Sequence, residues 1–258
     1  VMEQAVHHDL KRVASKDVPV PTRKKQWKSF LSKVSKALSY SVAIPVSIAL
    51  IVVARTAQEI LFTSCALITN RYFSWTGSEA GFLLGLISAL WIPATAISGR
   101  ISTSWDERTV IKHSIPILLA GLLIMVNWAS IANLAVHIRS LFKETSYRTY
   151  HPYDWVFGVY QYLVGFAISY CGVVALEGTT LSLLSKVAPT RANAVINCAT
   201  MLTTVSLAGR LLGDIHILMV GLSHRLINTD IVNSLVIPML IASVLAGYLI
   251  RRHFFFLM

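Results

Sequence analysis

The chain has 258 residues, 55% of them hydrophobic and 14% charged, with a mean hydropathy of +0.62. A soluble domain carries about 25% charged residues, so this composition excludes a water-soluble globule and points to an integral membrane protein. The net charge of +11 is concentrated in a tail and short loops, which is the pattern of membrane topology and not of a nucleic-acid-binding face.

The chain opens on Val1 and reads as a piece of a longer polypeptide, with no cleavable signal peptide in its first forty residues. Residues 1–41 are a basic segment expected on the cytoplasmic side. Within it "TRKKQWKSFLSKVSKALS" sets Trp27, Phe30, Leu31, Val34 and Leu38 at helical spacing among lysines. That pattern suits either an amphipathic helix on an anionic leaflet or a mobile basic linker.

A bilayer core about 30 Å thick needs roughly 20 apolar residues in a helix. Six stretches qualify, near 42–68, 80–99, 114–136, 157–184, 193–222 and 231–250. The runs are long and do not alternate, which argues for helices over strands. They define a transmembrane domain over 42–250, with 251–258 as a C-terminal tail. "NRYFSWTGSE", "GRISTSWDERTVIK", "RSLFKETSYRTYHPYD", "SKVAPTRA" and "SHRLINTD" connect the spans. Pro45, Pro93, Pro116 and Pro238 are placed to kink them. Sixteen Lys and Arg fall on the side of the tail, the second and fourth loops and the C-terminus, against five on the other side. By the positive-inside rule both termini are cytoplasmic.

Five ionisable residues remain inside spans: Arg55, Glu59, Glu177, Arg210 and Asp214. Each costs about 2.5–3.5 kcal/mol at a helix centre on insertion scales, and such residues usually face a bundle interior or a wet path. They fall in spans one, four and five. Spans three and six carry no acid, Lys or Arg within their apolar runs, as expected of lipid-facing supports. Arg55 and Glu59 are four residues apart, as are Arg210 and Asp214, so each pair shares a helix face and can neutralise itself. Glu177 has no charged partner on its own helix and must pair across helices, be protonated or meet water. Span five adds a polar face of Asn193, Asn197, Thr200, Thr203, Thr204 and Ser206, with Ala208, Gly209 and Gly213 permitting close packing. Cys65, Cys171 and Cys198 lie in apolar runs and read as small buried hydrophobes. No metal cluster, phosphate loop or nucleophile–base set is apparent, so neither an enzyme nor a cofactor is expected.

Six spans with cytoplasmic ends and a charged loop after span two resemble half of a major facilitator transporter. That fold implies two inverted three-helix repeats per half, with spans one and four matching the cavity-lining helices. The family's loop motif of Gly, acid and base is met in degenerate form by Gly99, Asp106 and Arg108. "EILFTSCALITNRYFSWTGSEAGFLLGL" and "LEGTTLSLLSKVAPTRANAVINCATMLTTVSLAGRLLGD" are similar to the C-terminal half of the SPX–major facilitator proteins, vacuolar phosphate transporters of plants and algae. Glu59, Leu176-Glu177-Gly178, Leu181-Ser182-Leu183-Leu184-Ser185, Arg210 and Asp214 fit that family's pattern. The family's SPX domain and first six helices have no counterpart in these residues, and the 139–155 loop is long for it.

This resemblance implies transport of phosphate or another small anion across a vacuolar membrane, with protons as a possible coupling ion. The site is expected to be completed by an N-terminal half or a second six-helix chain. A transporter or anion channel for another solute, of lysosomal type, and a truncated protein that transports nothing are the alternatives.

Overall fold

The computed structural model describes residues 42–133, 157–187, 199–227 and 230–253. The segment 1–41, the 139–155 loop, Asn193, Asn197 and the end of the C-terminal tail lie outside them. The helices are α1 (Ala43–Phe73), α2 (Gly77–Ala89), α3 (Trp91–Ser104), α4 (Glu107–Met125), α5 (Val159–Val187), α6 (Ala199–Ile227) and α7 (Ile231–His253). They make six spans long and apolar enough to cross a membrane, the second formed by α2 and α3 in series. No strand occurs among the described residues.

The turn after α1 is built from local chemistry. Ser74 adopts a left-handed conformation at φ 55°, and its amide returns to Asn70 O at 3.2 Å while that of Trp75 reaches Thr69 O at 3.2 Å. This satisfies carbonyls that a helix end otherwise strands. Thr76 then caps α2 in a capping box, its amide donating to Glu79 Oε2 at 2.7 Å. Glu79, the acid at the mouth of the second span, therefore serves as a helix cap.

Successive spans run antiparallel. Tyr72 and Phe73 at the end of α1 meet Phe157 just before α5, and Gln161 near the start of α5 reaches Ile124 and Val126 at the end of α4. The start of α1 and the end of α7 consequently share one end of the bundle. α1 packs against α5, α6 and α7, and α4 against α5 and α7.

Lipid is as apolar as these side chains, so dense packing and hydrogen bonds, not burial from water, hold the helices together. The α4–α5 seam shows how close the approach is. A Cβ added at Gly121 would meet Gly165 O at 2.8 Å and also strike the Ser169 amide and hydroxyl, and one at Gly172 would meet Leu118 N at 2.6 Å. Glycine lets the two backbones touch. In the α1–α5 seam, Phe62, Phe166, Tyr170, Tyr162, Phe73 and Phe157 form a continuous aromatic column, with centroids 5.2–6.2 Å apart.

The exposure pattern corrects one expectation. In the third and sixth spans, which carry charge only toward an end, 44% of the most apolar stretch is buried, whereas in the second and fifth 17% is. α4 is wedged among α5 and α7, with Ile111 and Leu118 fully buried. A dry helix–helix seam excludes charge as strictly as lipid does, so an absence of charge does not separate the two.

The third span is also interrupted inside its apolar run. α4 stops at Met125 and the backbone leaves the helix at Val126–Asn127 before helical structure resumes at 128. The break is held by side chains. Gln161 Nε2 donates to Ile124 O at 2.7 Å and Val126 O at 2.9 Å. Asn233 Oδ1 accepts from Asn127 N at 2.8 Å, its Nδ2 donates to Asn127 O at 2.9 Å, and Asn127 Nδ2 donates to Asp230 Oδ2 at 2.7 Å. Losing a partner of a buried polar group costs about 1–3 kcal/mol. Asn127→Leu is therefore expected to lower the thermal unfolding midpoint by roughly 2–12 °C; a midpoint within 1 °C or so of wild type would mean that the latch carries no stability.

Candidate functional site

The five intramembrane charges lie near the mid-depth of their helices, and four of them, Arg55, Glu59, Glu177 and Arg210, come together across α1, α5 and α6. Two glycines of α6 make this possible. α1 and α6 run parallel, and Cβ atoms added at Gly209 and Gly213 would meet Arg55 Cβ at 2.6 Å and Glu59 Cβ at 2.8 Å. This is a Gly-x-x-x-Gly contact of the kind that lets membrane helices approach closely. Thr56 fixes its register, its Oγ1 donating to Val52 O at 2.8 Å and across the seam to Gly209 O at 3.1 Å.

Arg55 is the centre of the set. One guanidinium arm makes an ion pair with Glu177 of α5, and Nη1 donates to Gln58 Oε1 at 3.1 Å. The Arg55 Nε is buried with no hydrogen-bond partner among the described residues. The side chains of Arg55 and Glu177 are 27% and 15% exposed, so the pair is largely shielded. Glu59 points the other way. Its Oε2 lies 3.9 Å from Arg210 Nε of α6, and its Oε1 accepts from Thr63 Oγ1 at 3.0 Å. Arg210 is 60% exposed, and Asp214, one turn further on, is exposed and makes no ion pair among the described residues.

The charges thus pair between helices, Glu177 with Arg55 and Glu59 with Arg210, and not within them. Four-residue spacing puts Arg55 and Glu59 on one face, but α5 and α6 bring a counter-charge to each. Of the three fates open to Glu177, the structure shows cross-helix pairing. Ser206 is half-buried on the polar side of α6. Cys65 is buried and Cys171 half-buried, both free thiols; Cys198 lies outside the described residues.

The loop motif is placed differently. Gly99 lies within α3 with open space where a Cβ would stand. Asp106 is the N-cap residue of α4 without a side-chain capping bond, its carbonyl accepting from Thr109 N at 2.9 Å, and Arg108 is half-buried in the first turn. The acid that ties this end of the bundle is their neighbour Glu107. It accepts from Ser182 Oγ at 3.2 Å and forms an ion pair with Lys186 at the end of α5. The sequence reading missed Glu107, and its signal was slight: one more acid in a charged loop.

The chain is similar to SPX domain-containing membrane proteins. One from Oryza sativa subsp. japonica is 28% identical over 185 residues, 70% of this chain and 23% of that protein. Two from Arabidopsis thaliana match at 28% over 185 residues and 27% over 188, with 70% and 71% of this chain and 23% of each relative covered. The chain thus spans about a quarter of the length of these SPX domain-containing relatives. No family model matches it. No solved structure matches it either.

Proposed function

We propose that this six-helix unit is half of a transporter of the major facilitator type that moves inorganic phosphate, or a closely related small anion, across a vacuolar-type membrane. The observation that carries the reading is the shielded Arg55–Glu177 pair at mid-depth, joined through α1 to Glu59 and Arg210. An arginine fork is suited to oxyanions, and a carboxylate already on that fork competes with any anion for it. Protonating Glu177 removes the competitor and frees Arg55. Proton uptake and anion binding are thereby linked at one guanidinium. No bond is made or broken in the anion, so the role is transport and not catalysis.

The charge balance says what else is needed. Two arginines and three acids leave the set at −1 when all are ionised. A phosphate dianion therefore requires a protonated carboxylate or basic groups from a second six-helix unit. Midplane sites in such transporters form between two units, and the uncovered faces of α2–α3 and α6 leave room for one. The membrane-protein relatives are longer than this chain, and the activity is proposed for the unit together with its partner.

The test is phosphate uptake into vesicles by the full-length protein across a pH series, with matched amounts in the membrane. Wild type is expected to take up phosphate with a pH dependence that Glu177→Gln abolishes, and the 258-residue chain alone is expected to show no saturable uptake. No phosphate uptake by wild type would end the substrate reading. A Glu177→Gln profile that overlays wild type would end the assignment of the glutamate.

A further inference from the structure

We propose that the second span is a hinged connector whose joint at Leu90 lets α1 and α5 separate when the Arg55–Glu177 pair opens; this rests on the movable ion pair of the proposed function. α2 ends at Ala89 and α3 begins at Trp91, with Leu90 (φ −64°, ψ −17°) closing one and opening the other. Pro93 in the first turn of α3 has no amide proton, so the Ala89 carbonyl loses its donor four residues on. The Leu90 amide turns back to Ile87 O at 3.0 Å, a tight three-residue closure. Thr95 Oγ1 donates to Trp91 O at 2.6 Å, a back-bond that favours bending.

The two arms are fastened to different neighbours. α2 buries Ala80, Leu83 and Ile87 and packs on α1. α3 buries no residue and lies chiefly along α5. Leu90 is in the middle of the 28-residue span Gly77–Ser104, at the depth where Arg55 and Glu177 tie α1 to α5. Toward one end the aromatic column and the Asn127–Asp230–Asn233 latch hold the bundle shut. Toward the other, where α1 begins, the Arg55–Glu177 pair ties α1 to α5 from mid-depth, and that is where we place the gap. A straight second span would resist this opening, being bound to α1 above the pair and to α5 below it. Bending at Leu90 lets α2 stay with α1 and α3 stay with α5.

The test uses spin-label distances in the full-length protein in nanodiscs, with native cysteines replaced. Labels go on Ala49 and Leu67 of α1, Phe82 of α2 and Ile97 of α3, all exposed among the described residues. Opening the pair with Glu177→Gln, or with the double change Arg55→Gln/Glu177→Gln should the first fail to fold, is expected to shift the Ala49–Ile97 distance by about 2–5 Å. The Phe82–Leu67 distance should hold. Adding Pro93→Ala, which restores the missing donor, should suppress the Ala49–Ile97 shift by at least about half. Distances that stay fixed in both variants, pairs that shift together, or a shift that Pro93→Ala leaves intact would each overturn the hinge. None of these readings depends on transport, so a failed hinge leaves the transport reading standing and a failed substrate assay leaves the hinge to be judged by distance.

Discussion

Gly121→Ala is expected to cost about 1–3 kcal/mol, the range for overpacking a dense core, and to lower the unfolding midpoint in detergent by roughly 2–12 °C. The added methyl has nowhere to go. It meets Gly165 O at 2.8 Å and the amide and hydroxyl of Ser169, and backbone atoms cannot rotate aside as a flexible side chain can. α4 and α5 must then part along a seam that also carries the Gly172–Leu118 contact. Gly221→Ala on α6 is the control, because a Cβ there has open space within 4 Å and alanine favours helix. Thermal unfolding of the two variants side by side decides the matter. Equal midpoints would mean that the α4–α5 seam yields easily and is not what holds the bundle.

The second large effect is expected at the ion pair. Arg55→Gln leaves Glu177 without its counter-charge in a site where that side chain is 15% exposed. Removing one partner of a buried pair costs about 3–5 kcal/mol, because the other charge is stranded, whereas removing both costs far less. Arg55→Gln is therefore expected to be the least stable of the single changes at this site. Arg55→Gln combined with Glu177→Gln should recover most of the loss, giving a coupling energy above about 1 kcal/mol. Additive effects in the double variant would show that the two side chains do not depend on each other and would remove the basis for linking proton and anion at Arg55.

Much of this architecture was legible in the chain. Hydropathy located six spans because a dry bilayer demands long apolar helices, and the same demand made Arg55, Glu59, Glu177, Arg210 and Asp214 conspicuous. Their pairing was not legible. Spacing along one helix shows which charges share a face, but the rotation of each helix is set by contacts such as Gly209 on Arg55 and Gly213 on Glu59, which join distant parts of the chain. The Leu90 joint was half visible through Pro93. The stop at Met125 was hidden because "MVNWASIANL" continues an apolar run. Asn127 departs from the helix for partners at Asp230 and Asn233, more than a hundred residues away. The Glu107–Lys186 tie was equally remote from any local pattern.

The parallel seam of α1 and α6 has a consequence for how the protein is made. Thr56 and Gly209, joined in the finished fold, are separated by 153 residues. At about 5–20 residues per second of synthesis, α1 enters the membrane roughly 8–30 s before α6 exists to cover it. Arg55 and Glu59 must be accommodated in lipid throughout that interval, with Glu177 also still to come. The one neutralisation available on α1 itself is the four-residue pairing of Arg55 with Glu59, which the completed bundle replaces with partners from α5 and α6. The four-residue spacing thus offers the nascent chain a pairing that the finished bundle does not use.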